Sequence, residues 1–280
     1  MILLELIETG ILQGLILAVV ALGVMIPFRL VNFPDLTAEG SYPLGAAACA
    51  SLLISGVPSV LATGLASVAA GLLGVCTALV HLRFRINTLL AGIILSTMIY
   101  SVNLRLMNGP NVALFEYHTL FAALDGDFPK ISAVILIILV LVVPLFLFLI
   151  TEKGLCFRAV GMNPSFCRRQ GISIARYTLF GLFLGNGMTG LAGGLMVQLQ
   201  SYVDIGMGIG IVIHALAALM IGESIIGNGS LKRQILAPLL GALIYQQIQG
   251  GALALGLPPS DLKFLTGAIV LSIIAIRGSF

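Results

Sequence analysis

Nine apolar runs, separated by short polar or glycine-rich connections, constrain the fold of this chain more than any other feature. Several reach about 18–25 residues, roughly the length that a helix needs to cross a hydrocarbon core about 30 Å thick. The runs lack the sustained alternation of barrel strands, and a spanning segment must satisfy its own backbone hydrogen bonds, so we predict helices. We place membrane segments at 10–28, 42–57, 58–81, 86–106, 131–150, 175–199, 207–222, 234–255 and 262–277.

The composition also indicates a membrane protein. Of the 280 residues, 59% are hydrophobic and only 9% are charged. A water-soluble domain of this length cannot bury so much apolar surface, so we predict an all-α polytopic membrane protein with a single transmembrane domain over residues 1–280. The four cysteines form no CxxC pair, and we therefore predict neither a disulfide nor a metal site.

The number of crossings is eight or nine. Segments 42–57 and 207–222 are short and interrupted by glycine, which is typical of half-helices or re-entrant pieces that line a cavity. We therefore expect about 8–9 transmembrane or re-entrant helices, of which these two are the ambiguous ones.

The distribution of charge predicts the orientation of the chain. Cytoplasmic connections are enriched in Lys and Arg. Three basic connections, which we predict to be cytoplasmic, are residues 81–85, 151–176 and 232–233. The connection 107–130 should face outward, because it carries three acidic residues and one lysine, namely Glu116, Asp125, Asp127 and Lys130. We expect the acidic N-terminus outside and the C-terminal end, with Arg277, inside. Termini on opposite sides need an odd number of crossings, which favours nine over eight.

Isolated polar side chains occur in or near the predicted helices. Asn103, Asn186, Gln198 and Gln200 are of this kind, and such side chains commonly bond to neighbouring helices. His214 lies in the middle of an apolar segment, where a lone histidine is more often a packed hydrogen-bonding partner than a proton carrier. We predict structural roles for most of these residues.

The basic connection 151–176 contains a short helix with signals at both ends. Asn163 followed by Pro164 is typical of an N-cap with proline at the first helical position, and Gly171 is typical of a C-terminal stop. Such a helix has about two turns. It carries apolar and basic side chains suited to docking in a groove of a soluble partner: Phe166, Cys167, Arg168 and Arg169. The alternative is an ordinary basic loop that follows the positive-inside rule.

The stretch 29–41 places two carboxylates between apolar segments. Asp35 and Glu39 stand beside Pro34 and Gly40. A carboxylate at the bilayer centre costs at least about 2.5–3.5 kcal/mol on insertion scales, so these side chains need burial in protein or contact with water. We favour a broken helix that lines a translocation path, where the carboxylates meet a ligand's ammonium group or hold a gate. The alternative is a loop in the aqueous phase.

The sequence resembles the branched-chain amino-acid and ribose type of bacterial ABC importer permease. The resemblance is carried by residues 154–194, by the glycine-rich segment 208–222 and by the early segment 31–46. The stretch 33–41 is more similar to a subgroup linked with amino-acid-like substrates, including aromatic amino acids. Its sequence is Phe33-Pro-Asp-Leu-Thr-Ala-Glu-Gly-Ser41. Where the family commonly has Ala-Ala after the proline of the short helix, this chain has Phe166-Cys167.

The resemblance implies a transport subunit, not an enzyme, in the bacterial inner (plasma) membrane. Implied partners are a dimer of ABC ATPase subunits that binds ATP and Mg, an extracytoplasmic substrate-binding protein and a second copy of this chain; no nucleic acid is expected. The chain itself has no GxxxxGK[ST] phosphate loop and no cofactor is expected in it. Residues expected to couple to the ATPase are Arg158, Gly161, Asn163, Pro164, Phe166, Arg168, Arg169 and Gly171. Residues expected along the substrate pathway are Asn32, Phe33, Asp35, Glu39 and His214.

Two other functions remain open on the residues alone. A self-contained secondary transporter would use Asp35 and Glu39 as ion-coupling residues and would need no ATPase. An intramembrane enzyme would use His214 or Cys76 with a carboxylate, but no local pairing of a nucleophile and a base indicates one.

Overall fold

The computed structural model describes residues 2–122, 124 and 126–278, so Asp125 of the predicted outer loop lies outside the described residues. Within that part of the chain the fold is all-α, as predicted, apart from one pair of three-residue strands. The α-helices are α1 (Ile2–Met25), α2 (Ala38–Ile54), α3 (Ser59–Phe84), α4 (Thr88–Met107), α5 (Asp127–Ile150), α6 (Glu152–Met162), α7 (Pro164–Arg169), α8 (Ile174–Gln200), α9 (Ile211–Ile226), α10 (Leu231–Ala254) and α11 (Leu262–Gly278).

Each predicted membrane segment coincides with a helix. The boundaries differ by four residues or fewer, except that α1 begins eight residues before the predicted start at residue 10. Among the described residues, six helical stretches are long and apolar enough to cross a membrane: Leu6–Leu30, Ser59–Phe84, Thr88–Met107, Asp127–Ile150, Ile174–Gln200 and Ile205–Ile226. The segment predicted at 207–222 therefore reaches spanning length, because a 3₁₀ turn at Ile205–Gly208 precedes α9. The segment predicted at 42–57 stays short, with 17 residues in α2.

A small antiparallel pair of strands was not predicted. β1 (Asn111–Ala113) pairs with β2 (Tyr202–Asp204), with Val112 opposite Val203. Strands of three residues carry too few side chains to produce an alternating pattern in the sequence. The pair ties the connection after α4 to the connection after α8.

Contacts within the chain group it into two compact units. The central unit comprises residues 23–123 and 147–212, and the terminal unit comprises the described parts of 1–22, 124–146 and 213–280. In the central unit α2, α3 and α8 pack through small residues. A Cβ on Gly45 would lie 2.5 Å from Gly190 Cα, and Ala46, Ala66 and Ala192 are fully buried. Such small residues allow helix backbones to approach closely, which is how helices associate in lipid.

The terminal unit uses the same kind of packing between α9 and α10. A Cβ on Gly222 would meet the carbonyl oxygen of Ala237, and a Cβ on Gly241 would meet that of Ala218. The four residues form two small-xxx-small pairs, one on each helix, which face each other. The same unit contains an ion pair between Lys130 Nζ and Asp127 Oδ1 at 3.8 Å.

The predicted cytoplasmic connections of the central unit lie at one end of it. Phe33 packs against His81 beside the basic 81–85 connection, with ring centroids 5.0 Å apart. Gly161, in the 151–176 connection, packs against Leu30 and Val31. Both connections therefore contact the short segment 30–33. β1 and β2 follow the C-terminal ends of α4 and α8, whereas the basic connections precede these two helices. Which end faces the cytoplasm stays a prediction.

Candidate translocation and coupling site

Residues 31–37 interrupt the helical path between α1 and α2, as the sequence predicts. α1 runs into a π-helical turn at Ile26–Leu30 that contains Pro27, which has no backbone N–H to donate. Asn32 then takes a positive φ of 54°, and α2 begins only after Thr37. The break carries Asp35, and Glu39 lies in the first turn of α2.

Asp35 is enclosed in a hydrogen-bonded network. Its side chain is only 1% exposed. Oδ1 accepts a hydrogen bond from the backbone N–H of Thr37 at 2.8 Å, and Oδ2 accepts one from Nδ2 of Asn186 at 2.7 Å. The side-chain oxygen of Asn186 in turn accepts from Ser41 Oγ at 2.6 Å. The carboxylate thus fastens the break to α8, and in this arrangement a solute does not reach it.

The break is also held by α3 and α4. The hydroxyl oxygens of Thr37 and Thr77 lie 2.8 Å apart, within hydrogen-bond distance. Gly92 of α4 faces the break closely, because a Cβ there would lie 2.8 Å from Leu36 N and 3.0 Å from Thr37 N. Three helices besides α2 therefore fix the non-helical backbone, which is tolerated at membrane depth when it is packed in protein.

Asn32 and Phe33 occupy different environments. Asn32 is exposed at the end of the π-helical turn. Phe33 is 4% exposed and packs edge-on against His81, whose Nδ1 lies 2.7 Å from the carbonyl oxygen of Ile86. Phe33 is therefore a packing residue that joins the break to the end of α3.

Glu39 opens onto a cleft of about 260 Å³ in the central unit, which we call the Glu39 cleft. Its polar lining consists of Glu39, Ser96, Thr97, Tyr100 and Asn103, and Gly208 and Ile209 contribute to its wall. Oε1 of Glu39 accepts a hydrogen bond from Gly210 N at 3.3 Å. Glu39 is thus half-buried and accessible to a solute in the cleft, whereas Asp35 is buried and inaccessible to it.

The short helix α7 has the predicted caps. Oδ1 of Asn163 accepts from Phe166 N at 3.0 Å, and Pro164 is the first helical residue. Gly171 follows the helix with a positive φ of 75°, a conformation that glycine adopts without strain. Cys167 is buried, and Phe166 is 52% exposed. With Arg168 and Arg169 also exposed, the surface of α7 is apolar and basic together.

The helix α6 connects α7 with the residues just before the break. A Cβ on Gly161 would lie 3.0 Å from Val31 C and would meet the Leu30 carbonyl, so these backbones touch. Arg158 of α6 is half-buried, and its Nε has no hydrogen-bond partner among the described residues. Of the residues expected to couple to an ATPase, Gly161 therefore has a packing role, and the exposed ones lie on α7 or directly beside it.

His214 belongs to the terminal unit. Its ring centroid lies 5.7 Å from that of Tyr245, whose hydroxyl oxygen is 2.6 Å from Thr266 Oγ1. His214 therefore packs against an aromatic side chain, and its place along the substrate pathway stays a prediction.

Sequence reasoning missed two features of the site. Asn186 is the partner of Asp35, although the sequence separates them by 151 positions. Gln198, by contrast, bonds to a neighbouring helix as predicted, since its Nε2 donates to Thr63 Oγ1 at 2.6 Å. The other missed feature is the polar lining on α4, at positions 96, 97, 100 and 103. That spacing places all four on one face of a helix, so it was a usable signal.

Comparisons with known proteins agree with this description. The chain is 34% identical over 263 residues to a tyrosine transport system permease protein of Clostridioides difficile, covering 94% of this chain and 88% of the relative. It is 30% identical over 230 residues to a probable branched-chain amino acid transport permease protein LivH of Methanocaldococcus jannaschii, covering 77% and 72%. It is 26% identical over 199 residues to the nucleoside ABC transporter permease protein NupB of Lactococcus lactis, covering 69% and 50%. No solved structure matches the chain.

The family match covers nearly the whole chain. Residues 6–274 match the family described as branched-chain amino acid transport system / permease component. This range includes the break, the Glu39 cleft and α7. The chain therefore belongs to that family, as a multi-pass membrane subunit of an ABC importer that is a permease component and not a catalytic one.

Proposed function

We propose that the chain forms the pathway by which a bacterial ABC importer moves an amino acid or a similar small solute across the plasma (inner) membrane. Two copies assemble with two ATPase subunits, which bind ATP and Mg, and an external binding protein delivers the solute. The observation that carries this proposal is the break at 31–37, which a spanning segment retains only where it is packed in protein or lines a cavity.

The substrate class is supported by similarity and by the charge of the cleft. Relatives include a tyrosine transport permease and a probable branched-chain amino acid permease. The Glu39 cleft contributes a carboxylate, which suits a solute with an ammonium group. A volume of about 260 Å³ is just below the range of about 300–1,000 Å³ for pockets that bind drug-sized ligands, so it suits a small solute.

The coupling step follows a chain of contacts through α6. ATP binding on the partner subunits moves α7, which docks on them through Phe166, Arg168 and Arg169. Because Gly161 of α6 touches the backbone at Leu30 and Val31, this movement reaches the residues just before the break. The break then changes position between two states, and the ligands of the transporter bias the balance between those states.

A pull-down from native membranes tests the proposal as a whole. The tagged chain is expected to bring down a phosphate-loop ATPase in stoichiometric amount, with ATPase activity in the eluate. An active transporter purified without any ATPase would overturn the proposal and would favour ion-coupled transport.

Charge reversal on α7 tests the docking helix. Arg168→Glu is expected to lower the amount of co-purified ATPase at least about fivefold, because a charge at an interface rim or core contributes to attachment. Membrane insertion is unaffected, since Arg168 is exposed. Arg105→Glu is the matched control, because this arginine is exposed in the last turn of α4, at the predicted outer end. Normal ATPase recovery and normal uptake with Arg168→Glu would exclude α7 as the docking element.

A further inference from the structure

A polar stripe runs along α4, which is otherwise apolar. Ser96, Thr97, Tyr100 and Asn103 line the Glu39 cleft together. α4 is one of the described helices that are long and apolar enough to cross a membrane. Polar side chains within such a helix face protein or water rather than lipid, and they commonly mark substrate pathways. The hydroxyls of Ser96 and Thr97 already donate to the Ile93 carbonyl of their own helix, at 3.0 and 2.8 Å. The case for a polar occupant of the cleft therefore depends on Asn103 and Glu39.

The polar group of Asn103 in the cleft lacks hydrogen-bond partners among the described residues. Its side chain is 1% exposed, yet neither its amide oxygen nor its amide nitrogen has a hydrogen-bond partner among the described residues. Buried amides are nearly always hydrogen-bonded, and each exception calls for an explanation. A ligand that brings both a donor and an acceptor satisfies both atoms of Asn103 once this side chain turns toward the cleft that it lines.

The cleft has a negative charge without a positive one. Glu39 is the acidic residue in its lining, and no lysine, arginine or histidine is among the described residues that line it. Gly210 N donates a hydrogen bond to Oε1 of Glu39 at 3.3 Å. Such a hydrogen bond does not neutralise the carboxylate, so a cationic group of a ligand is attracted to Glu39.

We propose that the Glu39 cleft is a substrate subsite for the zwitterionic end of a small amino acid, and this rests on the importer function proposed above. The carboxylate of Glu39 accepts hydrogen bonds from the ligand's ammonium group. The Asn103 amide nitrogen donates to the ligand's carboxylate, and its amide oxygen accepts from the ammonium group. Asn103 is therefore a specificity-determining residue that rejects ligands lacking either charge, since they leave it unpaired.

Thiol labelling tests the charge preference of the cleft. The reporter is a Ser96→Cys variant on a background with Cys76→Ala and Cys156→Ala, which removes the exposed and half-exposed native thiols. It is assembled with its ATPase partner in lipid nanodiscs. An aminoethyl methanethiosulfonate, which carries an ammonium group, is expected to react about tenfold faster than the sulfonatoethyl reagent, because the cleft concentrates cations. Adding Glu39→Gln is expected to remove most of that preference.

Ligand protection tests the chemical class of the substrate. L-Tyrosine is expected to slow labelling of the Ser96→Cys variant, whereas N-acetyl-L-tyrosine, which lacks the ammonium group, is expected to leave it unchanged. Met98→Cys is the matched control, because Met98 lies on the same helix two positions away, is 64% exposed and does not line the cleft. Neither the Glu39→Gln change nor L-tyrosine should alter the labelling of the Met98→Cys variant.

The Asn103→Leu variant separates a ligand-binding role from a structural one. If Asn103 binds the ligand, this change removes at least about 90% of L-tyrosine uptake by proteoliposomes, since the site loses both of its amide contacts. The midpoint of thermal unfolding should stay the same or rise, because an unpaired buried amide is replaced by an apolar side chain. Lower thermal stability with normal uptake would identify a structural residue and overturn the proposal.

The remaining outcomes distinguish this subsite from the function on which it rests. A wild-type complex that contains its ATPase but imports no amino acid would overturn the proposed function. Normal import by the wild type together with unchanged labelling ratios in Glu39→Gln would overturn the subsite alone. Spontaneous disulfide crosslinking of two Ser96→Cys copies would also overturn it, because the cleft would then be a contact between copies.

Discussion

Asn186→Asp is expected to destabilise the protein by about 3–5 kcal/mol, because it places a second carboxylate against the buried Asp35. In the wild type the Asn186 amide donates to Asp35 at 2.7 Å. An aspartate at position 186 cannot make that donation while it is ionised, and two like charges then share an enclosed site. The result should appear as a lower midpoint of thermal unfolding for the purified complex.

The reciprocal exchange should restore most of this loss. In the double variant Asp35→Asn/Asn186→Asp, the new amide at position 35 accepts from Thr37 N and donates to the new carboxylate at position 186. That carboxylate also accepts from Ser41 Oγ, which in the wild type donates to Asn186 Oδ1. The hydrogen bonds with Thr37 N, with Ser41 Oγ and between the two side chains are remade with one charge, whereas the bond from Asn186 Nδ2 to the Leu182 carbonyl at 3.0 Å is lost. A double variant as unstable as Asn186→Asp alone would mean that this network does not hold the break.

The Ser41→Ala variant should lose less stability than Asn186→Asp and serves as an intermediate for comparison. Ser41→Ala removes the donor to the Asn186 oxygen but leaves the Asp35 contacts in place. Its expected cost is about 1 kcal/mol, the typical net contribution of one hydrogen bond. The thermal unfolding midpoints should therefore fall in the order wild type, Ser41→Ala, Asn186→Asp.

Gly45→Leu is expected to prevent the central unit from folding, at a cost of about 3 kcal/mol or more, the upper end for overpacking. A Cβ at this position would lie 2.5 Å from both Cα and C of Gly190. These are backbone atoms of α8, so the conflict cannot be relieved by a side-chain rotation. Either α2 and α8 move apart or the helices fail to pack.

Gly64→Leu is the matched control for this substitution. Gly64 lies in the neighbouring helix α3, and nothing lies within 4 Å of a Cβ placed on it. Leucine is also a better helix former than glycine by up to about 1 kcal/mol. Size-exclusion chromatography of detergent extracts should give a monodisperse peak for Gly64→Leu and aggregate or no protein for Gly45→Leu. Equal peaks for both variants would refute the close α2–α8 approach.

The sequence predicted those features that depend on interactions between residues close together in the chain. Long apolar runs predicted a helix at each of the nine positions, because helix length and hydropathy depend on consecutive residues. Among the described residues, six helical stretches are long and apolar enough to cross a membrane. The caps of α7 were predicted from Asn163, Pro164 and Gly171, since each acts on backbone groups within a few residues. The break near Asp35 followed from the cost of placing a charge among apolar segments.

Contacts between distant residues were decided by the tertiary structure alone. Asp35 and Glu39 look equivalent in the sequence, yet one is sealed by Asn186 and the other opens onto a cleft. Likewise, Gly161 belongs to the cytoplasmic connection but packs against Leu30. Hydropathy predicts that a helix lies in the membrane, but the lipid environment does not determine which face meets which neighbour. That choice depends on where small residues let backbones approach and polar groups find partners.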